Sequence, residues 1–381
     1  MFLSPLKSFP RSNANVPDPS MFNPNRLSVA RKRRGLTKTE LATQAKIDLR
    51  SVTAYEAGVR PPKLNTAESL AAATNFPVEF LYGDDLDEPQ PDTASFRALS
   101  KMTATQRDMA LSQGTIALHL SKWLEARFEL PEPGLPDLSR EDSPEAAADS
   151  LRRHWGIGES PVRNMVHLLE AKGVRIFSLA INAREVDAFS LWKDATPFVF
   201  LNGNKSSEHS RYDAAHELGH LVLHRHGPPQ GRDAEREADS FASAFLMPRA
   251  SVIAHAMRNA SLPALIKLKA IWTVSVAALN RRLFGVGMSS DWQYRTLCIE
   301  IAKQGFRKRE PREAPREMSH ILPRIFDALH EEGISRAEVA RTLAIPRAEL
   351  EQLMFGLTMT SIDGGRKKTS APAKTKLSVV K

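Results

Sequence analysis

Residues Arg211 to Pro248 carry the most legible chemistry in the chain, RYDAAHELGHLVLHRHGPPQGRDAEREADSFASAFLMP. His216-Glu217-Leu218-Gly219-His220 is an H-E-x-x-H motif inside a helical pattern. Positions four apart lie one above the other on a helix, so His216 and His220 can offer two imidazoles to one metal ion. Glu217, one residue round from the first histidine, is placed to take the proton of a water beside that metal. A tetrahedral catalytic zinc needs a third protein ligand and keeps its fourth position open. The stretch Asp233-Ala-Glu235-Arg-Glu237-Ala-Asp239 opens a second helical run, in which Glu235 and Asp239 again share a face. Glu235 is the expected third ligand, with Glu237 as the alternative. Asp239 is expected to accept the outer N–H of a ligand histidine and so fix that ring's tautomer. His224 and His226 read as helix-end residues. A bare H-E-x-x-H also occurs as a solvated polar face, and the downstream Glu-x-x-x-Asp is what favours a metal site over it.

AAHELGHLVLH followed by EREADSFASAFLMP resembles the ImmA/IrrE family of zinc metallopeptidases. The resemblance extends upstream through residues 192–203, WKDATPFVFLNG, and covers the middle third of the chain. It implies a zincin-like unit of the gluzincin type, with Zn2+ held by His216, His220 and Glu235 and with Glu217 as the catalytic glutamate. It also implies a substrate class, because members of the family cut transcriptional repressors, often after stress or DNA damage. The protein substrate expected on that ground is a partner repressor or an antitoxin-like protein, cut in a stress or mobile-element response. The competing expectation is a regulator whose peptidase-like unit is a catalytically silent sensor or dimerisation scaffold. Tyr212, His224 and His226 are the candidates for a further donor to the developing oxyanion.

The elements that must position this motif can be read on either side of it. Helices are expected over Pro144–Trp155 and Pro161–Lys172. Strands rich in β-branched and aromatic residues follow at Val174–Ser178, Ala188–Trp192 and Pro197–Leu201. Phe198–Leu201 is a candidate edge for an extended peptide, with a plain core strand as the alternative. Apolar residues at Met109, Ile116, Leu120, Trp123 and Leu124 give the 103–128 stretch a helical period, as core or as a dimer contact. Residues 248–305 read as all-helical. Within them TVSVAALNRRL has a helix-turn-helix pattern that is expected to pack on the catalytic unit, and a similar pattern over Leu322–Leu357 reads as a helical cap or dimer element.

A second chemistry stands at the other end. Residues 21–60 hold nine Lys/Arg against three Asp/Glu, an electrostatic footprint for a polyanion. Five short helices are expected over residues 25–82. Gly35 ends the first, Thr37-Lys-Thr-Glu40 is a capping box for the second, and Asp48 caps the third, whose inner face carries Val52 and Tyr55. Two helices joined by the short turn Ala45–Asp48 can place the second in a major groove. Leu49, Arg50, Ser51 and Thr53 are its expected outward residues, with Arg50 reading guanine or binding phosphate. Thr37 and Lys38 are expected to clamp backbone phosphates. Arg31-Lys-Arg-Arg34 reads as a solvated, phosphate-facing edge. The whole stretch resembles a phage-repressor-type helix-turn-helix domain of the Xre family, which implies a double-stranded DNA operator and a homodimer on paired half-sites. A helical protein–protein module is the bland alternative.

These readings divide the 381 residues into a disordered extension (1–20), a helix-turn-helix domain (21–83), an acidic linker and connecting helix (84–143), a zinc metallopeptidase domain (144–305), a helical C-terminal element (306–360) and a disordered basic tail (361–381). The expected fold class is α+β and mostly helical. The N-terminal extension lacks the continuous apolar core of an export signal, and Met21 is an alternative start. One cysteine, Cys298, excludes an internal disulfide framework, reads as a buried structural thiol and fits a cytoplasmic protein. No apolar run approaches the ~20 residues of a membrane span, so no membrane partner is expected.

Overall fold

The computed structural model describes residues 21–89, 94–96, 103–179, 188–226, 231–306 and 308–358. The N-terminal extension and the basic tail lie outside the described residues. The fold is α+β and mostly helical, with one small sheet.

The N-terminal unit is built from α1 (Pro24–Arg33), α2 (Lys38–Ala45), α3 (Leu49–Glu56), α4 (Leu64–Thr74) and a closing 3-10 turn (Val78–Tyr82). Its boundaries follow local chemistry. Gly35 at φ +67° turns the chain after α1. Thr37 and Glu40 cap α2 reciprocally, and Asp48 accepts the Ser51 N–H at 2.8 Å to open α3. Leu27, Leu41, Val52, Leu70 and Phe80 are wholly buried between these helices.

The acidic segment that follows does not hang free. Arg26 Nε donates to the Asp84 carbonyl at 2.6 Å, and Asn23 Nδ2 donates to Asp85 at 2.9 Å. Lys193 pairs with Asp87 at 2.9 Å. Two residues of the same segment form β1 (Ser95–Phe96), and α5 (Ala104–Glu125) comes next. Ile116, Leu120 and Leu124 of α5 are buried, and Gln113 Nε2 donates to the Ser178 carbonyl at 2.9 Å. The apolar stripe is therefore core, laid across the sheet.

Then come α6 (Pro144–His154) and α7 (Met165–Ala171), followed by β2 (Arg175–Leu179), β3 (Ala188–Lys193) and β4 (Thr196–Asn202). The sheet order is β1-β3-β4-β2, with β3 antiparallel to β1 and to β4, and β2 parallel to β4. Phe198–Leu201 is thus not an edge: β4 is paired on both sides. The reason is visible in its composition, since an unbroken apolar run suits a strand covered on both faces, and Phe198, Val199 and Phe200 are all buried.

Two long helices cross behind the sheet, α8 (Ser207–Leu223) and α9 (Arg232–Leu246). Beyond them lie α10 (Arg249–His255), α11 (Leu262–Trp272), α12 (Val276–Gly285) and α13 (Asp291–Lys303), then α14 (Ile321–Glu331), α15 (Arg336–Thr342) and α16 (Arg347–Met354). The helix-turn-helix-like pair α11 and α12 packs on the unit formed by α6 and α9, where Arg282 Nε donates to the Met247 carbonyl at 2.8 Å and its guanidinium pairs with Glu145 at 2.6 Å. Cys298 on α13 is only half-buried. At the other end, α16 packs on β2 and α5 and meets the N-terminal unit. Among the described residues no single helix is long and apolar enough to cross a membrane.

Candidate metal centre

The centre is made by α8 and α9, and it needs them close. A Cβ on Gly219 would lie 3.2 Å from the Ala238 Cα and 3.1 Å from the Phe241 ring. The glycine inside H-E-x-x-H therefore lets the helices approach this closely, because a side chain there would crowd both the buried Phe241 ring and the α9 backbone at Ala238. Ser206 caps α8 through the His209 N–H, and the close contact holds α9 with its acidic face towards the two histidines.

His216 Nε2 and His220 Nε2 lie 3.1 Å apart, and each is 3.4 Å from a Glu235 oxygen. Ligands about 2.1 Å from a tetrahedral zinc would stand about 3.4 Å from one another, so these three atoms have the spacing of one tetrahedral face. The proton positions point the same way. His216 Nδ1 is 3.1 Å from Asp239 Oδ1, and an ionised carboxylate only accepts, so the proton sits on Nδ1. His220 Nδ1 is 3.0 Å from His224 Nδ1, and His224 Nε2 is 2.9 Å from Glu237 Oε2. Burial lowers the His224 pKa against the opposing pull of Glu237, which favours the neutral ring. That ring donates to Glu237 and accepts from His220. Both Nε2 atoms then present lone pairs to each other and to a carboxylate, and Glu235 Oε1 is buried without a hydrogen-bond partner. Three acceptors with no donor between them call for a cation.

Glu235 rather than Glu237 therefore faces the two Nε2 atoms, and Asp239 stands behind His216. Sequence reading missed the second relay, His220–His224–Glu237. Its signal was available, because His216, His220 and His224 are successive i, i+4 positions on one face. Tyr212 Oη donates to the Asp239 carbonyl at 3.0 Å, and exposed His226 pairs with Asp137 at 2.9 Å.

Glu217 is fully buried and is held from the sheet side. Its Oε2 accepts from Ser95 Oγ at 2.5 Å and from Ser190 Oγ at 2.7 Å, while its Oε1 has no hydrogen-bond partner among the described residues. Neither serine is legible as a site residue from sequence, since β1 and β3 meet α8 only in the folded chain.

In the N-terminal unit, Leu49, Arg50 and Thr53 are exposed on α3 as expected. Ser51 is not outward: it is buried, its hydroxyl donates to Asp48 at 2.7 Å and accepts from Arg60 at 2.9 Å. The N3 position of a capped helix turns back towards its cap, which explains the miss. The Thr37 hydroxyl is engaged by Glu40 at 2.8 Å, and Lys38 lies 3.4 Å from Glu56. The solvated-edge reading of Arg31–Arg34 is also corrected. Arg31 pairs with Glu56 at 2.6 Å, and Arg33 and Arg34 both pair with Glu349 of α16, at 2.7 and 2.6 Å. Three of the four basic residues are used to join elements of the fold.

Comparison with known families agrees with both halves. Residues 169–284 match the IrrE N-terminal-like domain, a peptidase M78 family, and so carry the metal-centre helices and the sheet from β2 to β4. Residues 27–81 match a helix-turn-helix family. The chain thus fuses an Xre-type helix-turn-helix domain to an ImmA/IrrE-type peptidase-family domain. No curated protein matches it.

Proposed function

We propose that the chain is a DNA-binding transcription regulator with zinc metalloendopeptidase activity directed at a partner protein, a repressor or antitoxin-like substrate. The observation that carries this reading is the convergence of His216 Nε2, His220 Nε2 and Glu235 at tetrahedral spacing, with Glu217 next to the first ligand. A zinc ion held by these three residues would supply Lewis-acid polarisation of a peptide carbonyl and a water acidic enough to ionise near neutral pH. Glu217 would accept that water's proton and return it to the leaving amine. Asp239 and the His224–Glu237 pair keep the two rings in the tautomers that bind metal. Exposed Arg50 and Thr53 on α3 support DNA contact, and fusion to a DNA reader raises the local concentration of a DNA-bound substrate.

The test compares zinc-loaded protein with its Glu217→Ala variant in host lysate, with new N-termini identified by mass spectrometry. A few discrete cuts made only by the unchanged chain are expected, with Glu217→Ala lowering their rate by about 10^2–10^4-fold while zinc is retained. One observation favours a second reading, a regulator whose peptidase-family unit senses or scaffolds: both serine hydroxyls already occupy Glu217 Oε2. Identical N-termini in the two lysates, with zinc bound stoichiometrically, would decide for it.

A further inference from the structure

β3 packs on the metal helix α8, and its side away from β4 is filled by β1 of the chain itself. Ser95 pairs with Ser190 and Phe96 with Phe189 in antiparallel register. An exposed strand edge binds an extended peptide by adding a strand, with main-chain bonds giving affinity. Here residues 94–96 supply that strand. Ser95 is 1% exposed, accepts the Ser190 N–H at 2.9 Å, and reaches Glu217 Oε2 at 2.5 Å. A water activated by Glu217 must hydrogen-bond to this same carboxylate, and one of its two oxygens is already bonded to two serines.

Residues 84–89, upstream of β1, are fastened at several points. Asp84 and Asp85 bond to Arg26 and Asn23 of the DNA-binding unit. Asp87 pairs with Lys193 at the far end of β3, and Pro89 sits 3.1 Å from where a Cβ on Gly114 of α5 would be. Residues 84–89 are thus fastened to α1, β3 and α5, and residues 94–96 reach Glu217.

We propose that residues 94–96 are a built-in pseudosubstrate strand, which fills the peptide position on β3 and occupies Glu217 until a competing strand or movement of the DNA-binding unit displaces it. This rests on the peptidase reading, so its test has one arm that does not involve catalysis. In the full-length, zinc-loaded chain with Cys298→Ser, the pair Ser95→Cys and Ser190→Cys is oxidised. Directly opposed residues of an antiparallel pair have Cα separations of about 4.5–5.5 Å, within the range a disulfide spans. A closed disulfide is expected by mass, and two thiols that stay reactive to iodoacetamide in the folded protein would overturn the placement of the strand.

The second arm follows fluorescein-labelled casein, an unfolded protein rich in extended segments. Asp87→Lys, which sets like charges opposite Lys193, is expected to raise cleavage roughly fivefold, the shift an ion pair of this exposure supports. The exchange Asp87→Lys with Lys193→Asp is expected to return the rate to that of the unchanged chain. Equal rates in all three, each abolished by Glu217→Ala, would overturn the inhibitory role while keeping the peptidase. No cleavage in any of them, with the disulfide formed, would overturn the inhibitory role, leaving β1 as a structural strand.

Discussion

The candidate metal centre and the helix-turn-helix unit are both built from helices, long in the first and short in the second, yet they use their charged residues in opposite ways. In the centre, His216, His220, His224, Glu235, Glu237 and Asp239 all point across one α8–α9 contact, and every one of them has a partner in the same cluster. In the N-terminal unit the basic residues are divided. Arg50 faces outward on α3, whereas Arg31, Arg33 and Arg34 turn inward to Glu56 and Glu349. Spacing along one helix fixes which side chains share a face, but it does not say what that face meets. Where the chemistry needs only two adjacent helices, spacing is enough. Where a charge can serve either DNA or a buried carboxylate, the rest of the chain decides.

That contrast can be broken by experiment. The largest effect is expected from His220→Ala, which removes a ligand and leaves two acceptors. Stoichiometric zinc, measured by elemental analysis after dialysis, should be lost, and retention of a full equivalent would remove His220 from the centre. Arg33→Ala should act on stability rather than on DNA. It leaves the buried Glu349 carboxylate with Arg34 alone, a cost of about 3 kcal/mol, the lower end for breaking a buried pair. A lower Tm with unchanged DNA affinity is expected; the reverse would return Arg33 to the DNA-facing edge.

Smaller effects sharpen the comparison inside each region. His224→Phe keeps the bulk of the ring and removes the relay behind His220, so zinc affinity should fall by about 10–100-fold in a chelator competition. An unchanged affinity would make His224 a packing residue. Arg50→Ala should weaken binding to the operator by about 1–3 kcal/mol if it reads a base, with relaxed preference at one position. If binding instead weakens equally on all sequences, Arg50 contacts phosphate.

Local pattern determined much of this protein. The H-E-x-x-H and Glu-x-x-x-Asp spacings marked the residues that converge between α8 and α9 and the carboxylate behind His216, because helical periodicity is a property of the chain within a few residues. The caps at Thr37 and Asp48 and the three strands after residue 174 were legible for the same reason. Sheet order, the interior place of β4, the inward turn of Arg33 and Arg34 to a residue more than 300 positions away, and the two serines on Glu217 were decided only by the tertiary structure. Each of these depends on which surfaces cover which. A hydroxyl from β1 and another from β3 become part of the Glu217 carboxylate's surroundings only when the sheet and α8 are brought within hydrogen-bond reach, and no spacing along the chain encodes that distance.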